Sequence, residues 1–183
     1  DVDGVAIDAT DLSTIGALTA GTVTVTNAIV ISGTESQVTD ALVTDASKVV
    51  VSDAVVTISD VDTTNLEVTD LSAIGALTSG IVTVSNAVVL TGTQAELEAA
   101  LITDDTKVVA TSANVTVEDA ASIAELTAID AVIATMSYST VADVTANAVT
   151  NAGTYIAGTK TVTITDVDGV AIDATDLSTI GAL

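Results

Sequence analysis

TDLSTIGALTAGTVTVTNAIVISGT, residues 10–34, contains each kind of element from which the chain is built. Leu12, Ile15 and Leu18 recur at a spacing that places them on one face of a short helix, with Gly21 positioned to stop it. In TVTVT (22–26), Val23 and Val25 share one face while Thr22, Thr24 and Thr26 share the other, which is the alternation of a strand made of good strand formers. Thr26-Asn27 is a polar step whose side chains can hydrogen-bond nearby backbone, so it reads as a corner. A second apolar run, Ile29-Val30-Ile31, follows it.

The same pattern returns as TDLSAIGALTSGIVTVSNAVVLTGT at 69–93. Working outward, residues 1–59 align without gaps on residues 60–118, with about half the positions identical. Residues 119–165 form a shortened third unit whose later part, 141–165, follows 35–59. Asp1 to Leu18 then recurs unchanged as Asp166 to Leu183, so residues 166–183 open the next 165-residue period. The expectation is an excerpt of a tandem array.

A finer period lies inside each unit. TVTVTNAIVI (22–31) resembles KVVVSDAVVTI (48–58), and strand-like segments begin near 22, 48, 81, 107, 131 and 154. Their mean spacing of about 27 residues is that of one β–α coil. Helix starts are marked by Thr34 with Gln37 and Thr93 with Glu96, two capping boxes, and by a shortened version at Thr140 with Asp143. Val38, Ala41 and Leu42 then share a face, as do Leu97, Ala100 and Leu101. The predicted fold is an α/β solenoid: stacked parallel strands with short helices, about six coils per 165-residue period.

Composition supports regular layers and excludes several functions. Apolar residues make up 49% of the chain, which separates it from disordered acidic tails. They are almost all Val, Ala, Ile and Leu, and there is no proline to interrupt backbone pairing. The net charge is −22, with Lys48, Lys107 and Lys160 as the cations and no Arg. Such a chain has no cluster for nucleic-acid phosphates and is repelled by anionic membranes. It also has no stretch long and apolar enough to insert in a bilayer. Without Cys or His it lacks disulfides, thiolate sites, the usual zinc ligand and the usual general base. No carboxylate pair stands out as an acid and base, so an enzyme is not expected.

The acidic residues cluster in a repeated pattern. Asp1, Asp3, Asp8 and Asp11 recur as Asp166, Asp168, Asp173 and Asp176, and the second unit keeps Asp60, Asp62, Glu67 and Asp70. DVDG resembles the start of an EF-hand loop without its third Asp or distal Glu. Asp1, Asp3, Asp8, Asp11, Asp60, Asp62, Asp166, Asp168, Asp173 and Asp176 are therefore the calcium candidates, calcium being the one possible cofactor. The alternative is that they serve as loop carboxylates and helix caps, as is expected for Asp11 and Asp70. Lys48 and Lys107, equivalent in position, are expected to pair with Asp45 and with Asp104 or Asp105. Thr24 aligns with Val50, Thr83 and Val109 along successive coils, which interrupts the threonine array that ice binding needs. Tyr138 and Tyr155 are expected to serve packing.

VTVEDAASIAELTAI (115–129) resembles a repeat of very large secreted and surface proteins of bacteria, including cyanobacteria, of the rough form TVSDTAANIAANLDAL. Ser52-Asp53-Ala54 and Glu118-Asp119-Ala120 occupy the Ser-Asp-Thr/Ala positions of that form. The resemblance implies a long repetitive adhesin or matrix protein, extracellular or on the cell surface. The glycine-rich RTX calcium nonapeptide is absent. The expected function is a structural extracellular filament, self-associating or continuing in the same chain. The alternative is a calcium-responsive repetitive spacer of a large adhesin.

Overall fold

A computed structural model describes residues 2–44, 46, 48–103 and 107–183. It is an α/β fold in which the strand pairs among these residues are parallel and no sheet closes into a barrel.

The first unit runs β1 (Ala6–Asp8), α1 (Ala9–Ala17), β2 (Val23–Thr24), β3 (Val30–Gly33), α2 (Glu35–Leu42), β4 (Val49–Val50) and β5 (Val55–Ile58). The second repeats this order as β6 (Asn65–Glu67), α3 (Val68–Gly75), β7 (Val82–Val84), β8 (Val89–Gly92), α4 (Gln94–Leu101), β9 (Val108–Val109) and β10 (Asn114–Val117). The third contains α5 (Ile123–Asp130), β11 (Thr135–Ser137), β12 (Thr140–Asp143), α6 (Thr145–Thr150), a π-helical turn at Ala152–Ile156 and β13 (Thr161–Ile164). The helix α7 (Ala174–Gly181) follows.

Each pass of 24 to 26 residues brings the chain back alongside itself. Ala6 lies opposite Val30 and Val30 opposite Val55, while Val56 lies opposite Val82 and Val82 opposite Val108. In the third unit the pass shortens to 21 residues, as in Thr140 opposite Thr161. The resulting sheets do not coincide with the sequence units. One sheet has the order β1-β3-β5-β7-β9, three strands from the first unit and two from the second. The next, β6-β8-β10-β11, starts in the second unit and ends in the third. Strands β5 and β10 are thus handover strands, each paired to its own unit on one edge and to the following unit on the other.

Alternation decides which side chains face inward. The inner row of the first sheet is Ile7, Ile31, Val56, Val82 and Val108, and that of the second is Leu66, Leu90, Val115 and Met136. Against these rows pack the buried faces of the helices: Val38, Ala41 and Leu42 of α2, Leu71 and Ile74 of α3, Leu97 and Ala100 of α4, and Leu126 and Ile129 of α5. Each fully buried Val, Leu or Ile contributes about 1.5–3 kcal/mol. Helices of eight or nine residues are marginal alone. Here α1 packs on α2, α2 on α3, α3 on α4 and α4 on α5.

Several sequence expectations shift. The capping boxes at Thr34/Gln37 and Thr93/Glu96 form, but the third is Ser122/Glu125. Thr140 to Asp143 is instead strand β12, because Val141 and Asp143 point inward and the segment pairs with β13. The strand expected near 131 starts at Thr135, since α5 runs on to Asp130. The one expected near 154 is the π-helical turn, and the strand is Thr161–Ile164. Gly21 does not end α1, which is capped at Leu18. Its equivalent Gly80 shows what the glycine is for: a Cβ there would lie 2.2 Å from the Ala54 carbonyl oxygen of the preceding pass.

Three turns, at Gly4, Thr63 and Gly169, take the left-handed conformation at equivalent positions, with φ of 77°, 67° and 87°. A β-branched residue is strained there. Thr63→Gly is expected to stabilise the chain by about 1 kcal/mol. Gly80→Ala is expected to destabilise it by about 1–3 kcal/mol, since backbone must move to admit the methyl group. Denaturant melts of the two variants check both signs.

Candidate functional site

The polar chemistry of this chain is concentrated where helices begin and strands turn. A helix N-terminus leaves its first N–H groups without partners. In α2 the Thr34 hydroxyl accepts from Gln37 N at 3.3 Å and the Gln37 amide oxygen accepts from Thr34 N at 2.9 Å. The first helical N–H, at Glu35, remains. It donates to Asp60 Oδ2, one pass further on, at 2.6 Å. The arrangement recurs: Gln94 N donates to Asp119 Oδ1 at 2.7 Å, Ile123 N to Asp143 Oδ2 at 3.0 Å, and Thr145 N to Asp166 Oδ2 at 2.9 Å. In each case the following pass supplies a carboxylate to the helix of the pass before, where the helix dipole favours negative charge.

The second Asp of the first two Asp-Val-Asp segments works in the opposite direction. Asp62 Oδ1 accepts from Ala87 N at 2.8 Å, and Asp3 Oδ1 accepts from Ala28 N at 3.2 Å and from the Asn27 side-chain amide at 3.4 Å. Asp60 and Asp62 together therefore tie one corner to the pass before and to the pass after. Asp60-Val61-Asp62 is thus a staple between three passes, its two carboxylates accepting from backbone N–H groups.

The calcium candidates are distributed accordingly. Asp3, Asp60, Asp62 and Asp166 accept from backbone of neighbouring passes. Asp8 and Asp173 cap their own helices, accepting from Thr10 N at 2.8 Å and Thr175 N at 2.7 Å. Asp11 and Asp176 lie in the first turns of α1 and α7, as Asp70 does in α3. Asp168 is exposed in its turn, and Asp1 lies outside the described residues. Among the described residues no three of Asp, Glu, His or Cys are grouped so as to hold a metal ion. The sequence signal for the staple was present in the 25-residue spacing of Glu35 to Asp60 and Gln94 to Asp119, yet it has meaning only once the passes are in register.

Other expectations resolve as follows. Lys48 and Lys107 hold left-handed backbone, φ 58° and 52°, and their carbonyls accept from Val23 N and Val82 N of the adjacent strands. Asp45, Asp104 and Asp105 lie outside the described residues. Thr24 sits opposite Val50 and Thr83 opposite Val109, but the other neighbour of Thr83 is Thr57 rather than Val50. The register gives two short hydroxyl rows, Ser32–Thr57–Thr83 and Thr91–Thr116–Ser137. These end at Val109 and at Glu67. Tyr138 donates its hydroxyl to the Tyr155 carbonyl at 2.8 Å, with Lys160 Nζ 4.6 Å from its ring centre, so both rings fill the shortened unit. Burial, with Tyr155 and Asp130 adding to it, raises the Tyr138 pKa.

The principal grooves are walled by Val, Leu, Ile, Ala and Thr, each with at most one charged side chain. No helix among the described residues is long and apolar enough to cross a membrane.

Two carboxylates report the electrostatics with opposite signs. The Thr145 hydroxyl and N–H hold Asp166 below its ordinary value of 3.8. Its stabilising effect is therefore present above 3.8 and lost as the pH falls through the lower folded value. Glu35 is pushed above 4.5, first by burial and then by Asp70, Asp60 and Asp40, against the Thr39 hydroxyl. Its contribution is full below 4.5 and lost as pH rises through the folded value. Asp166→Asn is expected to lower the melting temperature at pH 7, with the deficit closing as the pH drops well under 3.8. Glu35→Gln is expected to raise it at pH 7 and to have a smaller effect in acid. Melting curves of both variants against the parent across this range check the signs.

No family model, no curated protein and no solved structure matches this chain.

Proposed function

We propose that this chain is a segment of an α/β solenoid within a tandem-repeat structural protein, extracellular or on a bacterial surface, where it forms part of a long acidic filament, matrix element or stalk. Its product is length and it performs no catalysis. The observation that carries this reading is the handover: a sheet begun by one unit is completed by the next, through β5 with β7 and β10 with β11. Repetition of such a unit links each sheet to the next and so lengthens the array without limit. The charge of −22 supports the same reading, since an elongated body spreads like charge and keeps neighbouring fibres hydrated and apart. The resemblance of residues 115–129 to repeats of giant bacterial surface proteins supports the location.

Chains of one, two and three 165-residue periods test the proposal by small-angle scattering. The maximum dimension should grow by a constant increment while the cross-sectional radius stays fixed. A radius of gyration that scales as for a compact globule would overturn it. Melting with and without millimolar calcium separates the filament from a calcium-responsive adhesin spacer: the filament requires no shift, the spacer a clear rise.

A further inference from the structure

The outward faces of the two large sheets differ in character. On the second, β6, β10 and β11 turn out Asn65, Glu67, Asn114, Thr116, Thr135 and Ser137, a polar surface. On the first, two rows cross the strands. Val30 and Val55 are opposite each other, and Ile81, just before Val82, extends them into an apolar row. Ser32, Thr57 and Thr83 form the hydroxyl row beside it, ending at Val109. Val55 is 39% exposed, Ile81 50% and Val109 43%. The repeat does not impose these residues. At the aligned positions of the other unit, Asn114 stands for Val55 and Thr22 for Ile81, and neither lies on this sheet. At both positions the side chain is apolar where it falls on this face and polar where it does not.

Charge is kept off the same face. The chain has 25 acidic residues and three basic ones, yet no acid occupies an outward position of β3, β5, β7 or β9. The charge that borders them is Lys107, just before β9. Acid begins at the opposite margin, where β1 turns out Asp8 beside Ser32. These signs narrow the partner. Nucleic acid and anionic lipid are repelled by the body of the molecule. A basic partner is drawn to its acidic flanks instead. The surface that suits this face is uncharged, carries an apolar and a hydroxyl row, and has margins of opposite sign. The face itself meets that description.

We infer that the outward face of the first sheet is an interface between two copies of this chain, packed sheet on sheet about a two-fold axis that runs along β5. That rotation lays Val55 on Val55 and Val30 on Ile81 of the second copy, and Thr57 on Thr57 and Ser32 on Thr83. Apolar row meets apolar row. Hydroxyls, each both donor and acceptor, meet hydroxyls. Lys107 comes over the margin that carries Asp8, so opposite charges fall together at both rims. The two sheets lie about 10 Å apart, as in a sandwich. Five strands at a spacing of about 4.8 Å span about 20 Å. One such patch is well short of the area of about 800 Å² per partner that a stable pair buries. Single segments therefore associate weakly. In the tandem array proposed above, on which this step rests, the patch recurs once per period and the contacts reinforce one another. The axis crosses the stack, so paired filaments run antiparallel. Acidic surfaces hold all other faces apart, and association stops at pairs.

Sedimentation equilibrium of the full 1–183 chain, up to millimolar concentration, tests the pairing. The parent's mass should rise toward that of a dimer, and further in high salt, where repulsion between two bodies of net charge −22 is screened. Val55→Glu and Val55→Lys change an exposed side chain, so each chain folds, but each sets like charges against each other on the axis. Each alone should remain monomeric. An equimolar mixture of the two should restore the dimer, because opposite charges then meet. Val61→Glu, at a turn residue 73% exposed and off the sheet, should associate as the parent does. The inference is overturned if the parent stays monomeric at millimolar concentration in high salt, if either Val55 variant associates as the parent does, or if the mixture fails to restore the dimer. Small-angle scattering of the Val55→Glu monomer reads the layered architecture by itself, so that reading and the pairing fail separately.

Discussion

A parallel strand exposes hydrogen-bonding groups along both edges, and in β3, β5, β7, β8 and β10 one edge is satisfied by the pass before and the other by the pass after. That requirement organises the rest. It demands that successive passes be nearly equal in length, which the spacing of 24 to 26 residues provides. It favours side chains small enough to stack in rows, which is why the interior is Val, Ile, Leu and Ala and has no need of Phe or Trp. It tolerates no proline in the ladders. Helices of two turns suffice, because each is held by the strands beneath it and the helices beside it rather than by its own propensity.

The acidity of the chain follows from the same stacking. Each pass leaves helix N–H groups and corner N–H groups without partners in their own layer. Carboxylates from neighbouring passes fill them, as Asp60, Asp119, Asp143 and Asp166 do for helices and Asp3 and Asp62 do for corners. A side chain that accepts from a backbone N–H needs no cation. Much of the negative charge is therefore part of the scaffold.

Local structure was largely legible in the sequence and connectivity was not. The capping boxes at Thr34 and Thr93 were legible because a Thr and a Gln or Glu three residues apart satisfy each other without help from elsewhere. The strands at Val23, Val49, Val82 and Val108 were legible by alternation. Thr140 to Asp143 carries both a helix-start spacing and a strand alternation, and only pairing with β13 decides between them. The partner of Thr83 could not be read because Val50 and Thr57 lie on strands of the same pattern, and the choice is made by the handover at β5. The staples at Asp60 and Asp62 were read as a possible ligand set, since their true partners are backbone groups that carry no sequence signature.

The offset between sequence units and sheets has a mechanical meaning. In a wall laid with staggered joints, no crack runs straight through. Here the boundary between residues 59 and 60 falls inside the first sheet, and that between 118 and 119 falls inside the second. Load across either boundary is therefore carried by paired strands, β5 with β7 and β10 with β11, rather than by a bare junction between units.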